Sequence, residues 1–275
     1  MEPEARDIVT VVGPTAVGKS RVAVDLALRF GGEVISGDSI QVYRGFDIGT
    51  DKPTTASMRG VPHHLIDIAG PEAQFTAADF VREALAAAGA IASRGRLPIV
   101  AGGTGLYLRA LVDGLFPGPS RDPAVRARLE AEAREQGLDA LFLRLETVDP
   151  DYAAKVRSRD RVRIIRALEV HALTGEPLSS HFRRTESPVR GRNVLRLGLR
   201  LERAALVRRI EERVERMFER GRVEEVRGLL ARGVPETAAP FRALGYRHVV
   251  APVRGRMSLD EAVTLTKTET RQYAK

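Results

Sequence analysis

The sequence contains no cysteine, which excludes disulfide bonds, thiolate zinc sites and cysteine nucleophiles. No apolar stretch approaches the roughly 20 residues that a membrane-spanning helix needs, so we expect no membrane segment. The N-terminus, Met1-Glu2-Pro3-Glu4, is acidic and polar, which predicts that no secretory signal is present. With no targeting feature to read, the default expectation is a cytoplasmic protein.

The composition is that of an ordinary globular protein, with 43% hydrophobic and 29% charged residues. A chain of 275 residues suits one large domain or a core with a smaller insert. The net charge is +8, and most of the cations are arginine. A basic surface favours nucleic acid or another polyanion. An arginine-rich proteome from a GC-rich genome explains the same charge, so both interpretations stay open at this point.

A complete phosphate loop of the form G-x-x-x-x-G-K-[ST] stands near the N-terminus. An apolar run at 8–12 precedes the loop and an amphipathic helical pattern at 22–30 follows it, so successive backbone N–H groups and a helix N-terminus point at one ligand. We expect a bound di- or triphosphate, with Lys19 on the outer phosphate oxygens and the Ser20 hydroxyl on Mg²⁺. The loop is Gly13-Pro14-Thr15-Ala16-Val17-Gly18-Lys19-Ser20.

The first part of the chain alternates predicted strands and helices, which indicates an α/β fold with a parallel sheet. Strands are predicted at 8–12, 33–36, 64–68 and 97–101, and a helix from Thr76 to about residue 92. Ligands of such sheets lie outside the carboxyl ends of the strands. The phosphate loop, Asp38-Ser39 and Thr104 should therefore meet at one site.

The composition changes at Pro117-Gly118-Pro119-Ser120, after which the pattern is helical and rich in arginine. A strand is predicted again at 193–199, followed by an amphipathic helix with Leu206, Ile210, Val214 and Phe218 on its apolar face. We therefore predict a P-loop NTPase-like core in two parts, 1–116 and 192–275, with an inserted helical domain at 117–191. A capping box at Ser258 begins a last helix, predicted to run to Lys275.

A kinase or NTPase is the default interpretation of a phosphate loop, but such enzymes usually place a Mg²⁺-binding acid at the end of another strand. The strand at 97–101 ends instead in Gly102-Gly103-Thr104. The acid that does follow a strand is Asp38. It is either a general base toward an acceptor held opposite the phosphates or a turn cap, and the local sequence leaves both open.

Several blocks in order along nearly the whole chain resemble the signature blocks of bacterial tRNA dimethylallyltransferases (tRNA isopentenyltransferases). Besides the phosphate loop they are Asp38-Ser39-Ile40-Gln41-Val42-Tyr43, Asp47-Ile48-Gly49-Thr50-Asp51-Lys52-Pro53, Gly102-Gly103-Thr104-Gly105-Leu106-Tyr107, Asp122-Pro123-Ala124-Val125-Arg126, Arg163-Ile164-Ile165-Arg166-Ala167-Leu168-Glu169-Val170 and Arg242-Ala243-Leu244-Gly245-Tyr246-Arg247.

The resemblance implies transfer of a dimethylallyl group from dimethylallyl diphosphate to N6 of the adenosine directly 3′ of the tRNA anticodon. The loop would hold a diphosphate that leaves, with Lys19 and Mg²⁺ stabilising its charge. Asp38 would accept an N6 proton, while Thr104 and Arg126 would contact the substrates near the reacting atoms. The expected partners are the tRNA anticodon loop and the prenyl donor, and we expect a monomer.

The resemblance also implies tRNA contacts at four places: Asp38-Ser39-Ile40-Gln41, Thr104 with Arg126, Val162-Arg163-Ile164-Ile165-Arg166, and Arg242-Ala243-Leu244-Gly245-Tyr246-Arg247. On a single helix, Arg159, Arg163 and Arg166 would share one face, although a run of charge is also the usual mark of a solvated face. Tyr246 would stack on a base or close the core. Family members generally continue past this point with basic and aromatic residues that contact tRNA.

Two other functions stay open. The first is prenyl transfer to free adenine nucleotides, against which the basic helical insert argues. The second is a P-loop kinase or NTPase, against which the absent acid after Ala101 argues.

Overall fold

The computed structural model describes residues 7–274, so the acidic N-terminal residues 1–4 and the last position, Lys275, lie outside the described part. It divides into two compact units. The first takes the described residues up to Val112 together with those from Val189 onward, and the second is Asp113–Pro188. The bounds predicted from sequence, 117 and 191, differ from these by a few residues.

The first unit is built on a five-stranded parallel sheet with the order β3-β2-β4-β1-β5. Its first part comprises β1 (Asp7–Val12), α1 (Lys19–Phe30), β2 (Gly32–Ser36), α2 (Thr55–Met58), β3 (His63–His64), α3 (Ala77–Ser93), β4 (Leu97–Ala101) and α4 (Gly105–Asp113). This α/β sheet, with the phosphate loop between β1 and α1, confirms the predicted fold class.

The second unit is helical, with α5 (Pro123–Glu135), α6 (Leu138–Val148), α7 (Pro150–Ala153), α8 (Arg161–Thr174) and α9 (Leu178–Arg183). Its core is a separate cluster that includes Leu129, Leu145, Ile164 and Leu168. The chain then returns to the first unit through β5 (Asn193–Gly198), α10 (Arg203–Glu219), α11 (Arg222–Ala231), a 3₁₀ turn (Ala239–Arg242), α12 (Arg247–Val253) and α13 (Leu259–Tyr273).

Alternation along the strands explains why helices cover both faces of the sheet. Val9 and Val11 of β1 pack with α1, whereas Ile8 packs with α3. In β4, Ile99 packs on the α1 side and Val100 on the α3 side. A parallel sheet buried on both faces holds its strand ends rigidly, and the phosphate loop follows directly from one of them.

The prediction of a third strand at 64–68 is mostly wrong. Only His63 and His64 pair with β2, and the backbone then leaves the sheet because Leu65 and Asp67 adopt φ of 62° and 57°. The Asp67 carboxylate accepts a hydrogen bond from Lys52 Nζ at 2.6 Å. The alternating run 64–68 therefore contributes a loop held by an ion pair, a contact that its sequence pattern does not encode.

Two helix predictions also need correction. On α10 the fourth buried position is Met217, while Phe218 is half-buried. Arg159 lies outside α8, because Asp160 caps that helix and its first residue is Arg161. The final helix begins at the predicted capping box of Ser258 and ends at Tyr273.

Candidate active site

The phosphate loop leads from β1 into α1 through three residues with positive φ, Gly13 at 150°, Ala16 at 63° and Gly18 at 104°. Gly13 must be glycine, because a Cβ there would stand 2.7 Å from the carbonyl oxygen of Leu199. Nζ of Lys19 donates hydrogen bonds to the carbonyls of Gly13 and Pro14 at 3.0 and 2.9 Å. The ammonium group is thus held within the loop, as phosphate binding requires.

Lys19 has an unusual pKa. Burial, together with the nearby Arg213 guanidinium, lowers this pKa to about 8, and Asp38 opposes the change. A second cation beside Lys19 marks a site that is electropositive before any ligand binds. Such a site favours a polyanion.

The ends of β2 and β4 approach so closely that only glycine fits between them. A Cβ at Gly102 would lie 2.1 Å from the carbonyl oxygen of Gly37. The same contact brings Thr104 to the Asp38-Ser39 turn: the Ser39 N–H donates to Thr104 Oγ1 at 2.9 Å, and Thr104 Oγ1 donates to Ser39 Oγ at 3.2 Å. The close approach also excludes an acid at position 102, since a side chain there would collide with the backbone of Gly37.

Asp38 is both a turn cap and a half-buried acid that lines a cavity. Its Oδ1 accepts hydrogen bonds from the N–H groups of Ile40 and Gln41 at 2.9 and 3.3 Å. Its Oδ2 accepts none from any residue that the structure describes, and the half-buried side chain lines both of the cavities described below. The two interpretations left open by the sequence are therefore compatible: Oδ1 caps the turn, and Oδ2 is left for a general base.

Two adjoining cavities share Asp38 and Thr15. The polar one, about 370 Å³, is lined by the phosphate loop and includes Lys19 and Ser20. The more apolar one, about 450 Å³, extends from Thr104 to the helices after β5. Predicted site residues on the apolar cavity are Asp38, Ser39, Ile40, Thr104, Arg242, Ala243, Leu244, Gly245 and Tyr246.

Arg213 belongs to this site and was missed by the sequence analysis. It lies on α10, donates to Thr15 Oγ1 at 2.7 Å and to the Thr50 carbonyl at 3.3 Å, and pairs with Asp51 at 3.0 Å. It lines both cavities. Arginine recurs along α10, so composition does not single it out, but its place between the buried Ile210 and Val214 is a signal that could have done so.

Tyr246 closes the core, and its side chain is not available to stack on a base. The residue is 0% exposed and packs edge-on against Phe46. Its hydroxyl donates to Glu225 Oε1 at 2.6 Å, while Glu225 also accepts from backbone N–H groups of the turn at 47–49. A Cβ at Gly49 would lie 2.4 Å from the Tyr246 ring, so this turn is packed directly on it.

The remaining residues predicted to contact tRNA differ in their exposure and in their hydrogen bonds to the protein. Gln41 is held between the Ser36 hydroxyl and the Thr50 carbonyl. Arg242 is exposed, and Arg247 on α12 donates from Nε to Glu269 of α13 at 2.9 Å. Gly245 is buried. Side chains at 41 and 247 are thus already engaged by the protein.

Arg126 and the stretch 162–166 lie in the helical unit. Arg126 and Arg166 both pair with the fully buried Glu169, at 3.1 and 2.8 Å. Val162 and Arg163 are exposed, whereas Ile164 and Ile165 are core residues, so the side chains of these two cannot contact tRNA. The arginines of this stretch therefore divide into one that faces solvent and one that braces the unit.

No helix within residues 7–274 is long and apolar enough to cross a membrane. The same residues include no cluster of three or more His, Cys, Asp or Glu side chains placed to hold a metal ion.

A phosphate loop at the end of a parallel sheet, with an acid and a hydroxyl at the two neighbouring strand ends, defines a P-loop α/β protein. The family described as IPP transferase matches residues 41–275. The chain belongs to the IPP transferase family.

Relatives support this assignment over the whole length. The tRNA dimethylallyltransferase of Geobacter metallireducens is 50% identical, with 100% of this chain and 89% of the relative covered. A crystal structure of the tRNA isopentenylpyrophosphate transferase of Bacillus halodurans is 42% identical, with a TM-score of 0.71 over 98% of this chain and 84% of that one. A eukaryotic dimethylallyltransferase, described as acting on tRNA, is 28% identical with a TM-score of 0.81, over 98% of this chain and 68% of that one.

Proposed function

We propose that this chain is a tRNA dimethylallyltransferase, which transfers the dimethylallyl group of dimethylallyl diphosphate to N6 of the adenosine 3′-adjacent to the anticodon and releases diphosphate. The observation that carries the proposal is the pair of adjoining cavities that share Thr15 and Asp38, one polar at the phosphate loop and one apolar beyond it. A diphosphate with an apolar tail fits such a pair, because its charged and hydrocarbon parts match the two cavities. A nucleoside triphosphate has no hydrocarbon tail to place in the apolar cavity.

The reaction breaks the bond between C1 of the prenyl chain and the diphosphate oxygen, and forms the bond from N6 to C1. Negative charge grows on the leaving diphosphate. Lys19, Arg213 and the backbone N–H groups of the loop are placed to stabilise that charge. This arrangement needs no acid after β4, where Gly102-Gly103-Thr104 stands instead.

Asp38 is the acceptor of the N6 proton in this proposal. Because Oδ1 is fixed by the turn, the carboxylate has one orientation, and Oδ2 remains for the substrate amine. Thr104 is joined to the same turn through Ser39, so its hydroxyl supports the position of Asp38. A fixed base of this kind contributes rate by proton acceptance and by orientation of the amine.

Ser20 is the residue that would hold Mg²⁺. Its exposed hydroxyl begins α1 on the polar cavity, and a hydroxyl together with diphosphate and water oxygens is a donor set that suits this ion. When bound, Mg²⁺ would neutralise part of the diphosphate charge. The fit needs no cage of carboxylates.

The tRNA part of the proposal rests on the named relatives and on exposed cations. Arg163 and Arg242 are exposed at positions that match tRNA-contacting stretches of the family. The target base has to leave its stack to reach Asp38, which costs a few kcal/mol and least in an already open loop. Free adenine nucleotides lack the backbone phosphates that these cations would bind.

The test is to incubate the protein with dimethylallyl diphosphate, Mg²⁺ and either bulk tRNA or AMP, and to analyse digested nucleosides by mass spectrometry. We expect N6-dimethylallyladenosine in the digest of the tRNA. Better use of AMP than of tRNA would assign the chain to the free-nucleotide enzymes. ATP hydrolysis without prenyl transfer would assign it to the NTPases.

A further inference from the structure

Tyr273, the last residue of α13, is an exposed aromatic side chain on the apolar cavity. Within residues 7–274, two aromatic side chains line that cavity, those of Tyr246 and Tyr273. The Tyr246 ring is fully buried, whereas Tyr273 is 58% exposed. Enzymes that take a base out of its stack hold it between aromatic or apolar side chains. Of the two tyrosines, Tyr273 is the one whose ring a base can reach.

The hydroxyl of Tyr273 fixes the ring beside the general base proposed above. It donates a hydrogen bond to the Gly103 carbonyl at 3.2 Å. Gly103 precedes Thr104, whose Oγ1 accepts from the Ser39 N–H next to Asp38. Partial burial and, after it, the nearby Asp38 carboxylate raise the pKa of the Tyr273 hydroxyl. The hydroxyl therefore remains a donor at neutral pH, and the ring is held close to Asp38.

The backbone of Tyr273 is anchored by the residue that follows it. Ala274 is buried in a cluster that includes Val17 of the phosphate loop and Ile210 of α10. With the backbone fixed on one side and the hydroxyl fixed on Gly103, the ring has little freedom to move. Less side-chain entropy is therefore lost when a ligand packs on this ring than on a mobile one.

The face of α13 that leads to Tyr273 is largely apolar. Thr266 and Thr270 precede Tyr273 at helical spacing and line the same cavity. Their hydroxyls donate to carbonyls of their own helix, those of Ala262 and Thr266, at 2.7 Å. Because the hydroxyl protons are used within the helix, this wall suits the flat face of a base better than its polar edge.

We infer that the Tyr273 ring stacks on the target adenine while N6 of that adenine faces Asp38, so that Tyr273 positions the acceptor base. The inference rests on the proposed function. The alternative is that the ring stabilises positive charge on the allylic carbon of the donor. The exposure of Tyr273 argues against this alternative, because a developing cation needs a site closed to water.

The experiment is a double-mutant cycle between Tyr273 and the target base. Wild type and Tyr273→Leu are titrated with an anticodon stem-loop RNA that carries either the target adenosine or an abasic site in its place. We expect the ratio of the two dissociation constants, abasic over adenosine, to fall by about 5- to 100-fold in Tyr273→Leu, since stacking on one base is lost. The cost of unstacking the adenosine within the RNA is common to both proteins and cancels. A general structural defect would weaken both RNAs alike.

Two further variants sharpen the comparison. Tyr273→Phe keeps the ring and loses only the hydrogen bond to Gly103, so its ratio should lie much closer to wild type than that of Tyr273→Leu. Phe30→Leu is the matched control, because Phe30 is a similarly exposed aromatic residue, at the end of α1, that lines neither cavity. Its ratio should equal that of wild type.

A Tyr273→Leu ratio within about twofold of wild type would overturn the inference, since uncoupled sites agree to within that error. If the same variant also lost kcat in prenyl transfer, the ring would act on the donor instead of the base. A wild type that transfers no prenyl group to tRNA would contradict the proposed function, and that result is obtained independently of the ratio.

Discussion

Nη1 of Arg213 donates a hydrogen bond to the hydroxyl of Thr15 at 2.7 Å, which joins helix α10 to the phosphate loop across 198 positions of the sequence. The same guanidinium pairs with Asp51 and reaches the Thr50 carbonyl. Three segments distant in sequence therefore meet on one side chain. Because it also lines both cavities, Arg213 would bind the diphosphate of the donor under the proposed function.

Arg213→Met should lower kcat/KM for the prenyl donor by about 10²-fold or more, the usual cost of removing one donor to a developing negative charge. The methionine keeps most of the aliphatic stem. Arg208→Met, an exposed arginine on the same helix that lines neither cavity, is the matched control and should leave transfer unchanged. Equal effects of the two substitutions would reduce Arg213 to a general contributor of charge.

The pH dependence of donor use should report on Lys19. Because its pKa is lowered to about 8, the ammonium group that binds phosphate is lost above that pH. We therefore expect kcat/KM for dimethylallyl diphosphate to be level below pH 8 and to fall above it. Lys19→Ala should abolish transfer, whereas Lys19→Arg should be slower but should lack the fall near pH 8, since arginine stays protonated. If kcat/KM of the Lys19→Arg variant still falls near pH 8, the fall reports the titration of a different residue.

Lys19 also links stability to pH. Its folded pKa lies below the unfolded value of 10.5, so the unfolded chain binds more protons between pH 8 and 10.5. This group alone therefore makes the folded state relatively more stable as the pH rises through that window. Bound diphosphate should reverse the effect by restoring the proton, and calorimetry at pH 8.5 in two buffers of different ionisation enthalpy would detect the uptake.

Asp38→Asn separates the base from the turn cap. The asparagine oxygen can still accept from the N–H groups of Ile40 and Gln41, but an amide cannot accept the N6 proton. We expect turnover to fall by about 10² to 10⁴ with little change in donor affinity. Asp38→Ala should show the same loss of turnover and, in addition, a loss of roughly 1 kcal/mol in the free energy of unfolding. An Asn variant with near-normal turnover would leave Asp38 as a cap alone.

The local patterns that predicted the fold are those in which sequence neighbours make the contacts. The phosphate loop follows β1 and helix α3 begins directly after Thr76, as the sequence indicates. The predictions failed where distant residues decide the conformation. The run 64–68 alternates like a strand, but Lys52 draws Asp67 into a loop. The pairing of Arg213 with Thr15 joins positions that no local pattern connects.

The site residues could likewise be predicted only as far as local sequence patterns determine them. Asp38, Thr104 and the loop do gather at the strand ends, because strand topology alone requires it. Which side chains of a signature block face outward is set by packing, however. Ile164, Ile165 and Tyr246 are core residues within stretches expected to contact tRNA. A block of sequence identifies a surface of the protein, and the structure selects the residues of that block that can reach a ligand.

Tyr246→Phe tests the structural role of Tyr246. Removing the hydroxyl leaves Glu225 without one of its donors and should lower the free energy of unfolding by about 1.5–3 kcal/mol, the worth of a hydrogen bond to a charged group. Binding of tRNA by the folded protein should change little, because the ring is fully buried. Thermal unfolding and a tRNA titration on the same sample measure both. Weaker tRNA binding at unchanged stability would instead show that the Tyr246 hydroxyl contacts tRNA.

The arginines of α8 should separate a tRNA contact from a structural brace. Arg163 is exposed, so Arg163→Gln should weaken tRNA binding and reduce the slope of log affinity against log salt by about one unit, with stability unchanged. Arg166 donates to the buried Glu169 and to the Pro119 carbonyl at 2.8 and 2.7 Å. Arg166→Gln should therefore destabilise the helical unit. If Arg163→Gln leaves the salt slope unchanged, the exposed arginine belongs to a solvated face and the tRNA surface lies elsewhere on the chain.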